Sequence, residues 1–307
     1  MRSNALEEHH DDAAPDGIAA CFLMGSKIAA DELIFSTGGG ATNAATTFSR
    51  WGLKTACLTR IGKDPSGAGI LSDLKSEKID THFVQTDTKL KTAYSIILLS
   101  GTGHRAIITH RGASQALDCK AFPWQHWSKK IVKTRIAKWM YLTSLGGDVK
   151  ALADIFEHAA RTKTRIAWNP GNKELEKGLK QLRRFIVQTD ILSLNEEEAE
   201  KLGGIKVLGD LPRSAFLLTQ GGKGATIRSG GKTFFAPALK AKRLNTTGAG
   251  DAFGSGFVAS WMRKEDPKAA LADAMLNATG VITHMGAHAG ILKHRPTTKE
   301  RAKVQVR

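Results

Sequence analysis

A glycine-rich stretch near the C-terminal end carries the clearest chemistry in this sequence. Residues 244–253 read LNTTGAGDAF, and the small residues Gly248, Ala249 and Gly250 allow the backbone to approach a ligand closely. Where such a turn opens a helix, several N–H groups stay unpaired and the positive end of the helix dipole faces the turn. Asp251 adds a carboxylate that can take a proton from a hydroxyl attacking a phosphate. The alternative is an ordinary helix whose N-terminal acid is favoured by the dipole.

The residues that follow predict the helix that positions this turn. Phe253, Phe257 and Trp261 recur at the i, i+4 spacing of one buried helical face. A second glycine-rich stretch, GGGATN at residues 38–43, opens another predicted helix whose apolar face includes Phe48. Glycines at this second position can serve a ligand or the close packing of a helix on a sheet.

The second half of the chain alternates between strands and helices. Strands are predicted at 137–143, 165–169, 190–194 and 215–219, and helices near 148–161, 173–180 and 196–202. This alternation is typical of a parallel sheet with helices on both faces. Ligands of such sheets bind beyond the carboxyl ends of the strands, where Asn169, Asn195 and Thr219 fall.

Together these motifs resemble the ribokinase-like (pfkB) family of sugar and nucleoside kinases. That family carries Gly-Gly-x-x-x-Asn near its N-terminal end and Asp-Thr-x-Gly-Ala-Gly-Asp near its C-terminal end. Further matches lie between the two, so the resemblance spans roughly residues 21–292. Several spaced motifs in one order are far more specific than any single one.

The resemblance implies an α/β fold, a three-layer αβα sandwich with a mainly parallel central sheet and a small β-sheet lid. We expect the lid at residues 88–114, where apolar runs at 93–99 and 105–110 predict a β-hairpin. Arg105 and Arg111 could contact the substrate or stay solvated. The acidic residues 1–17 predict a disordered tail, and 18–307 the kinase domain. The family's first N-terminal strand, with its substrate-binding aspartate, is apparently missing before Ile18.

The resemblance also implies roles in catalysis and in acceptor binding. Asp251 would be the general base, and the N–H groups of Gly248, Ala249 and Gly250 would hold the developing negative charge. The residues that would contact the acceptor come from the first motif: Gly38, Gly39 and Asn43.

Further motifs would bind ATP and its metal. Glu198 of the Asn-Glu-Glu-Glu run would position Mg²⁺, which prefers oxygen ligands. Taken alone, the Asn-Glu-Glu-Glu run at 195–198 is also a common helix N-terminus. The Thr-Gln-Gly-Gly-Lys-Gly run at 219–224 is likewise compatible with a plain hairpin turn. The residues that would contact ATP are Asn195, Thr219, Gly221, Gly224, Thr247 and Asn277.

Asn245 stands where the family usually has an aspartate that helps to hold a monovalent cation. An amide oxygen can coordinate a hard cation, but it lacks the full negative charge. We therefore expect weak potassium binding with Asn245 as a metal ligand. The alternative is that Asn245 only caps the turn.

Composition limits the remaining possibilities. With 41% hydrophobic and 24% charged residues, the chain is typical of a soluble globular protein, and no apolar run approaches the roughly 20 residues of a membrane span. Three scattered cysteines and an acidic, polar N-terminus favour a cytoplasmic location. The net charge of +16 keeps nucleic acid open as a rival partner, although no nucleic-acid motif is present.

The sequence therefore predicts an ATP-dependent phosphotransferase that uses Mg²⁺ and acts on a hydroxyl of a sugar, sugar phosphate or nucleoside. The exposed lid hairpin also predicts a homodimer, because unpaired strand edges invite pairing. Two alternatives remain: a degenerate member of the family that binds sugar or nucleotide without turnover, and a basic nucleic-acid-binding protein.

Overall fold

The computed structural model describes residues 8–12, 17–21, 25, 27, 29–100, 105–118, 137–264 and 266–307. Within these residues a six-stranded sheet forms the centre of the molecule. Its strands, in chain order, are β7 (Trp139–Leu142), β8 (Arg165–Trp168), β9 (Ile191–Asn195), β10 (Ala215–Thr219), β11 (Ala225–Ser229) and β12 (Lys232–Ala236), numbered after six strands outside this sheet. Strands β7 to β10 are parallel neighbours, and β11 and β12 add to β10 as an antiparallel meander.

Helices cover both faces of this sheet, as the strand–helix alternation predicts. One face packs against α1 (Gly40–Arg50), α8 (Ala249–Lys264) and α9 (Pro267–Ile282), and the other against α3 (Val149–Thr162) and α5 (Gly178–Ile186). The strands β9 and β10 alternate accordingly: Ile191 and Leu217 belong to the first core, whereas Leu192 and Phe216 belong to the second. This period of two is the expected pattern for a strand buried on both faces.

The remaining short helices are α2 (Pro65–Ser76), α4 (Asn172–Leu175), α6 (Glu196–Glu200), α7 (Gly204–Leu208) and α10 (Thr298–Arg301). The single helix expected at 173–180 is therefore interrupted between α4 and α5. Gly178 has φ +72°, a left-handed conformation that interrupts a right-handed helix. In the described part of the chain, no helix has the length and apolar character needed to cross a membrane.

Two small parallel strands lie beside α1 and α2. They are β3 (Thr59–Gly62) and β4 (Val84–Asp87), and an isolated bridge joins Ala56 to Asp80. The sequence at 55–60 is typical of a buried strand, but the paired strand begins only at Thr59.

Two short strands occupy the N-terminal region. β1 (Glu8–His10) pairs antiparallel with β2 (Ile18–Ala20), so part of the segment expected to be a disordered tail forms a strand. Its partner β2 does not join the central sheet. Residues 1–7 and 13–16 of the expected tail lie outside the described residues.

The predicted lid is a hairpin of β5 (Tyr94–Leu99) and β6 (Arg105–His110), with Ile96 opposite Ile108. The turn expected between these strands falls mostly on residues 101–104, outside the described residues. Alternate side chains of the hairpin, including Ile97 and Thr109, face the large cleft, while Ile96 and Ile108 face outward and are exposed.

Both ends of the lid are fastened to the body. The Asp64 carboxylate caps α2 and also accepts hydrogen bonds from the Thr92 hydroxyl (2.6 Å) and the Thr92 backbone N–H (2.8 Å). These bonds, first that from the Thr92 hydroxyl, lower the pKa of Asp64 to about 2. At the other end, Gly112 has φ +46°, and a Cβ there would lie 2.1 Å from the Lys91 carbonyl oxygen, so this position requires glycine.

Candidate active site

A cleft of about 2220 Å³ lies at the carboxyl ends of the parallel strands and extends under the lid. Its walls come from the turn before α1, the end of β7, the inner face of the lid and the turn before α8. Residues of both glycine-rich motifs therefore face the same space. The predicted site residues that line it are Gly38, Gly39, Asn43, Glu198, Asn245, Thr247, Gly248 and Asp251.

A short hydrogen bond joins the two motifs. Asn43 Nδ2 donates to Asp251 Oδ2 at 2.6 Å, although 208 positions separate the residues. Burial raises the pKa of the Asp251 carboxyl, and the hydrogen bond from Asn43 opposes this rise because it stabilises the anion. The expected role of Asn43 as a direct substrate contact is therefore incomplete: its amide nitrogen holds the predicted base. Its Oδ1 is buried without a partner among the described residues and can accept a hydrogen bond.

Glycine is needed where α1 approaches this carboxylate. A Cβ on Gly40 would lie 2.8 Å from Thr143 Cγ2 and 3.2 Å from Asp251 Oδ1. Gly39, just before the helix, has φ +111°, which L side chains rarely adopt. These glycines allow α1 to bring Asn43 against Asp251, which the sequence left as a choice between ligand contact and helix packing.

The turn before α8 has the open N–H groups that the sequence predicts, with one exception. Ala249 N–H donates to the Thr246 carbonyl oxygen at 3.3 Å, so it is already engaged. Among the described residues, no hydrogen-bond acceptor is found for the N–H groups of Gly248 and Gly250. The Thr247 hydroxyl is likewise buried without a partner there. The turn can therefore present two N–H groups and a hydroxyl to an anion.

Asn245 shapes this turn. Its side chain is buried, and its Oδ1 accepts a hydrogen bond from Thr247 N at 2.9 Å. This is the turn-capping arrangement that the sequence left as an alternative. An amide oxygen has a second lone pair, so the capping bond does not prevent it from coordinating a cation.

Asn195 and Glu198 form a reciprocal capping box at the start of α6. Glu198 N–H donates to Asn195 Oδ1 at 2.8 Å, and Asn195 N–H donates to Glu198 Oε2 at 2.9 Å. Glu198 lines the cleft, and burial raises its pKa, with smaller contributions from Glu197 and Asp251. A cation in the cleft would relieve this unfavourable burial of negative charge.

The second glycine turn lies between β10 and β11, next to Asn195. Thr219 is the direct parallel neighbour of Asn195 in the sheet. Gly224 has φ +122°, and a Cβ there would lie 2.1 Å from the Ala236 carbonyl oxygen, so close approach of β12 requires glycine. Gly221 has φ +54°, and a Cβ there would meet open space. Gly221 is therefore open to a ligand, whereas glycine at position 224 is required by packing against β12.

Asn277 is not part of the site. Its side chain is fully buried and donates to Thr47 Oγ1 (3.2 Å) and the Ala252 carbonyl oxygen (2.8 Å). Its Oδ1 accepts from Leu292 N at 3.1 Å. The structure therefore gives no geometric support to the predicted nucleotide contact of Asn277, because the amide joins three helical and loop segments and has no exposed surface.

Two residues join the site that the motifs did not assign. Arg105 of the lid donates to the Thr246 hydroxyl, so the lid reaches the turn before α8. Tyr141, near the end of β7, is partly buried; its hydroxyl is buried without a partner among the described residues, and a Cβ on Gly254 would lie 2.2 Å from that oxygen. A polar aromatic residue near the end of a core strand was the only sequence signal for Tyr141.

Comparison with known proteins gives a consistent picture. A family model described as pfkB family carbohydrate kinase matches residues 17–294. An ATP-dependent ribose-1-phosphate kinase of Halopiger xanaduensis is 26% identical over 81% of this chain and 80% of its own.

Solved structures share the fold at lower sequence identity. A Burkholderia thailandensis nucleoside kinase in complex with inosine has a TM-score of 0.74 at 20% identity and covers 91% of this chain and 90% of its own. A structure described as ribokinase II from E. coli, in complex with ATP and Mg²⁺, has a TM-score of 0.72 at 17% identity and covers 89% and 91%. These similarities confirm the three-layer α/β fold.

The contact between Asn43 and Asp251 predicts a change in pH dependence. In Asn43→Ala the carboxyl loses its hydrogen-bond donor, so its pKa rises further and the acidic limb of the kcat/KM profile moves to higher pH. We expect kcat/KM of this variant to fall about tenfold or more at neutral pH, which is the usual contribution of a hydrogen bond to a charged group.

The control is Asn169→Ala. Asn169 also lines the cleft, but its amide donates to the Ser193 carbonyl oxygen at 2.8 Å rather than to Asp251. Its loss should lower activity without moving the acidic limb. Superimposable profiles for Asn43→Ala and the wild type would contradict the assigned role.

Proposed function

Because this chain belongs to the pfkB family of carbohydrate kinases, we propose that it transfers the terminal phosphoryl group of ATP to a hydroxyl of a sugar, sugar phosphate or nucleoside. The observation that carries the proposal is the half-buried Asp251 carboxylate, which accepts a hydrogen bond from Asn43 and lies beside a turn whose Gly248 and Gly250 N–H groups have no acceptor among the described residues. A base and an anion site in contact are what transfer of a phosphoryl group to an alcohol requires.

Each group in the turn has a definite task under this proposal. Asp251 takes the proton of the attacking hydroxyl, and Asn43 keeps the carboxylate oriented and ionised. The N–H groups of Gly248 and Gly250 and the Thr247 hydroxyl stabilise negative charge on the transferred group. Such a base contributes about 10²- to 10⁴-fold, and prepositioned donors a similar factor.

The donor side follows the edge of the sheet. ATP supplies the phosphoryl group, and we assign its remaining phosphates to Asn195, Thr219 and Gly221, at and just beyond the carboxyl ends of β9 and β10. Glu198 supplies the carboxylate through which Mg²⁺ would be positioned. The fit rests on the Thr247 hydroxyl and the Gly248 and Gly250 N–H groups, which have no partners among the described residues, and on the half-buried Glu198 carboxyl.

The acceptor side lies between the first motif and the lid. Gly38 and Gly39 provide backbone contacts, and Asn43 Oδ1 can accept from an acceptor hydroxyl. The inner face of the lid offers both hydroxyl and apolar groups, including Thr109 and Ile97. We propose residues 18–307 as the kinase domain and 88–114 as its lid. A ribose-1-phosphate kinase and an inosine-bound nucleoside kinase among the similar proteins support an acceptor that contains ribose.

The proposal is tested by ADP release over a panel of ribose, ribose phosphates, fructose, fructose phosphates, adenosine and inosine. Asp251→Asn should reduce kcat on the best acceptor at least about hundredfold, because an amide cannot accept the proton, while ADP binding persists.

The matched control is Asp210→Asn, since Asp210 is a surface residue paired with Arg228. It should leave both turnover and ADP binding unchanged. If Asp251→Asn retained more than about a tenth of the wild-type kcat, Asp251 would not be the base. ADP binding without turnover on the whole panel would favour the non-catalytic alternative.

We propose that potassium activates this enzyme only weakly, because Asn245 replaces a charged ligand and one lone pair of its Oδ1 already accepts from Thr247 N–H. Asn245→Asp restores the charge and should strengthen the activation. Both proteins are assayed across a potassium series at constant ionic strength, with choline as the balancing cation. Strong, saturable activation of the wild type at low millimolar potassium would contradict this interpretation.

We also propose that two copies associate through the outer face of the lid. Ile96 and Ile108 of this face are 43% and 61% exposed, and an isolated two-stranded sheet is marginally stable in water. Sedimentation should show a dimer that Ile108→Lys converts to a monomer.

The control for this prediction is Val207→Lys on α7, which replaces a residue of similar exposure far along the chain from the lid. It should leave the dimer intact. A fully active monomer at assay concentration would rule out the lid dimer.

A further inference from the structure

An unpaired arginine lies between the two glycine turns assigned to the nucleotide. It belongs to residues 239–244, Leu-Lys-Ala-Lys-Arg-Leu, which connect β12 to the turn before α8. Lys240, Lys242 and Arg243 in this segment are exposed, and the segment contains no acidic residue. None of the family motifs includes these cations.

The guanidinium of Arg243 rests on the β10–β11 turn. A Cβ placed on Gly222 would lie 2.6 Å from Arg243 Nη2 and 3.6 Å from its Cζ. Since Arg243 also precedes Asn245 by only two positions, one side chain reaches from the turn before α8 to the turn at 221–224. The absence of a side chain at Gly222 makes this close approach possible.

No acidic group in the described part of the chain neutralises the charge on Arg243. Lys223, the other cation of this turn, pairs with Glu196 at 3.1 Å. Among the described residues, no carboxylate lies within salt-bridge distance of Arg243. An arginine that the fold holds against a glycine turn, with no acid of its own, is suited to an anionic ligand, because its planar fork can donate two parallel hydrogen bonds.

We propose that Arg243 binds the phosphate chain of the nucleotide. This inference rests on the proposed function, which places a nucleotide across both turns. Arg243 is then a donor-specific binding residue: it contacts the phosphates that remain on the nucleotide and has no contact with the acceptor. Without Arg243, the turn at 221–224, whose Lys223 is paired with Glu196, and the N–H groups of Gly248 and Gly250 would hold these phosphates with no unpaired cation from the described part of the chain.

The test measures binding of ADP and of adenosine to the full chain by calorimetry, for the wild type, Arg243→Gln, Arg243→Lys and the control Lys242→Gln. Arg243→Gln should weaken ADP binding about tenfold or more, which is the usual effect of losing hydrogen bonds to a charged group. Adenosine binding should stay unchanged. The ADP affinity of Arg243→Lys should lie between those of the wild type and Arg243→Gln, since lysine keeps the positive charge but lacks the planar guanidinium that donates two parallel hydrogen bonds. Lys242→Gln should bind ADP nearly as the wild type does.

Steady-state kinetics give a second readout. KM for ATP should rise in Arg243→Gln, whereas KM for the acceptor should not. Three results would overturn the inference: unchanged ADP affinity, equal losses for ADP and adenosine, or an equal loss in Lys242→Gln. A wild-type protein that binds no ADP would overturn the proposed function together with it, so the two failures are distinguishable.

Discussion

The candidate site depends on one hydrogen bond, from the buried Asn43 amide to the half-buried carboxylate of Asp251. An ionised carboxyl removed from water is costly unless a donor compensates it, and Asn43 is the donor here. The two residues meet because α1 and α8 pack on the same face of the central sheet, through aromatic residues that include Phe48, Phe253 and Phe257. The apolar core therefore determines the geometry of the polar pair.

Close backbone approach is the second constraint. Gly248, with φ +83°, lets the turn before α8 lie against the backbone at Ala287. A Cβ on Gly248 would be 2.9 Å from Ala287 Cβ. Gly254 makes room for the Tyr141 hydroxyl one helical turn after Asp251. In both cases a larger residue would move α8 relative to the cleft. The glycines near the site thus serve packing as much as ligand binding.

The lid is connected to both halves of the site. At its base, the Asp64 carboxylate holds Thr92 through two hydrogen bonds. Because the pKa of Asp64 is lowered, this contribution to stability is complete above the unfolded value near 4 and is lost as the pH falls through about 2. Near the tip of the lid, Arg105 contacts Thr246 in the turn before α8. The lid therefore contacts the body at its base and the turn before α8 near its tip.

The sequence by itself indicated the layers of the fold, from the alternation of strands and helices, and predicted that Asp251 follows a glycine turn at the start of a helix. These features are local: they follow from residue spacing, glycine content and helix-terminal chemistry. It did not determine what the amides do. Asn43, Asn245 and Asn277 look alike in sequence, yet one holds the base, one caps a turn and one is buried between segments. Only tertiary structure decides this, because an amide both donates and accepts, and its partners are set by which distant segments the core brings together.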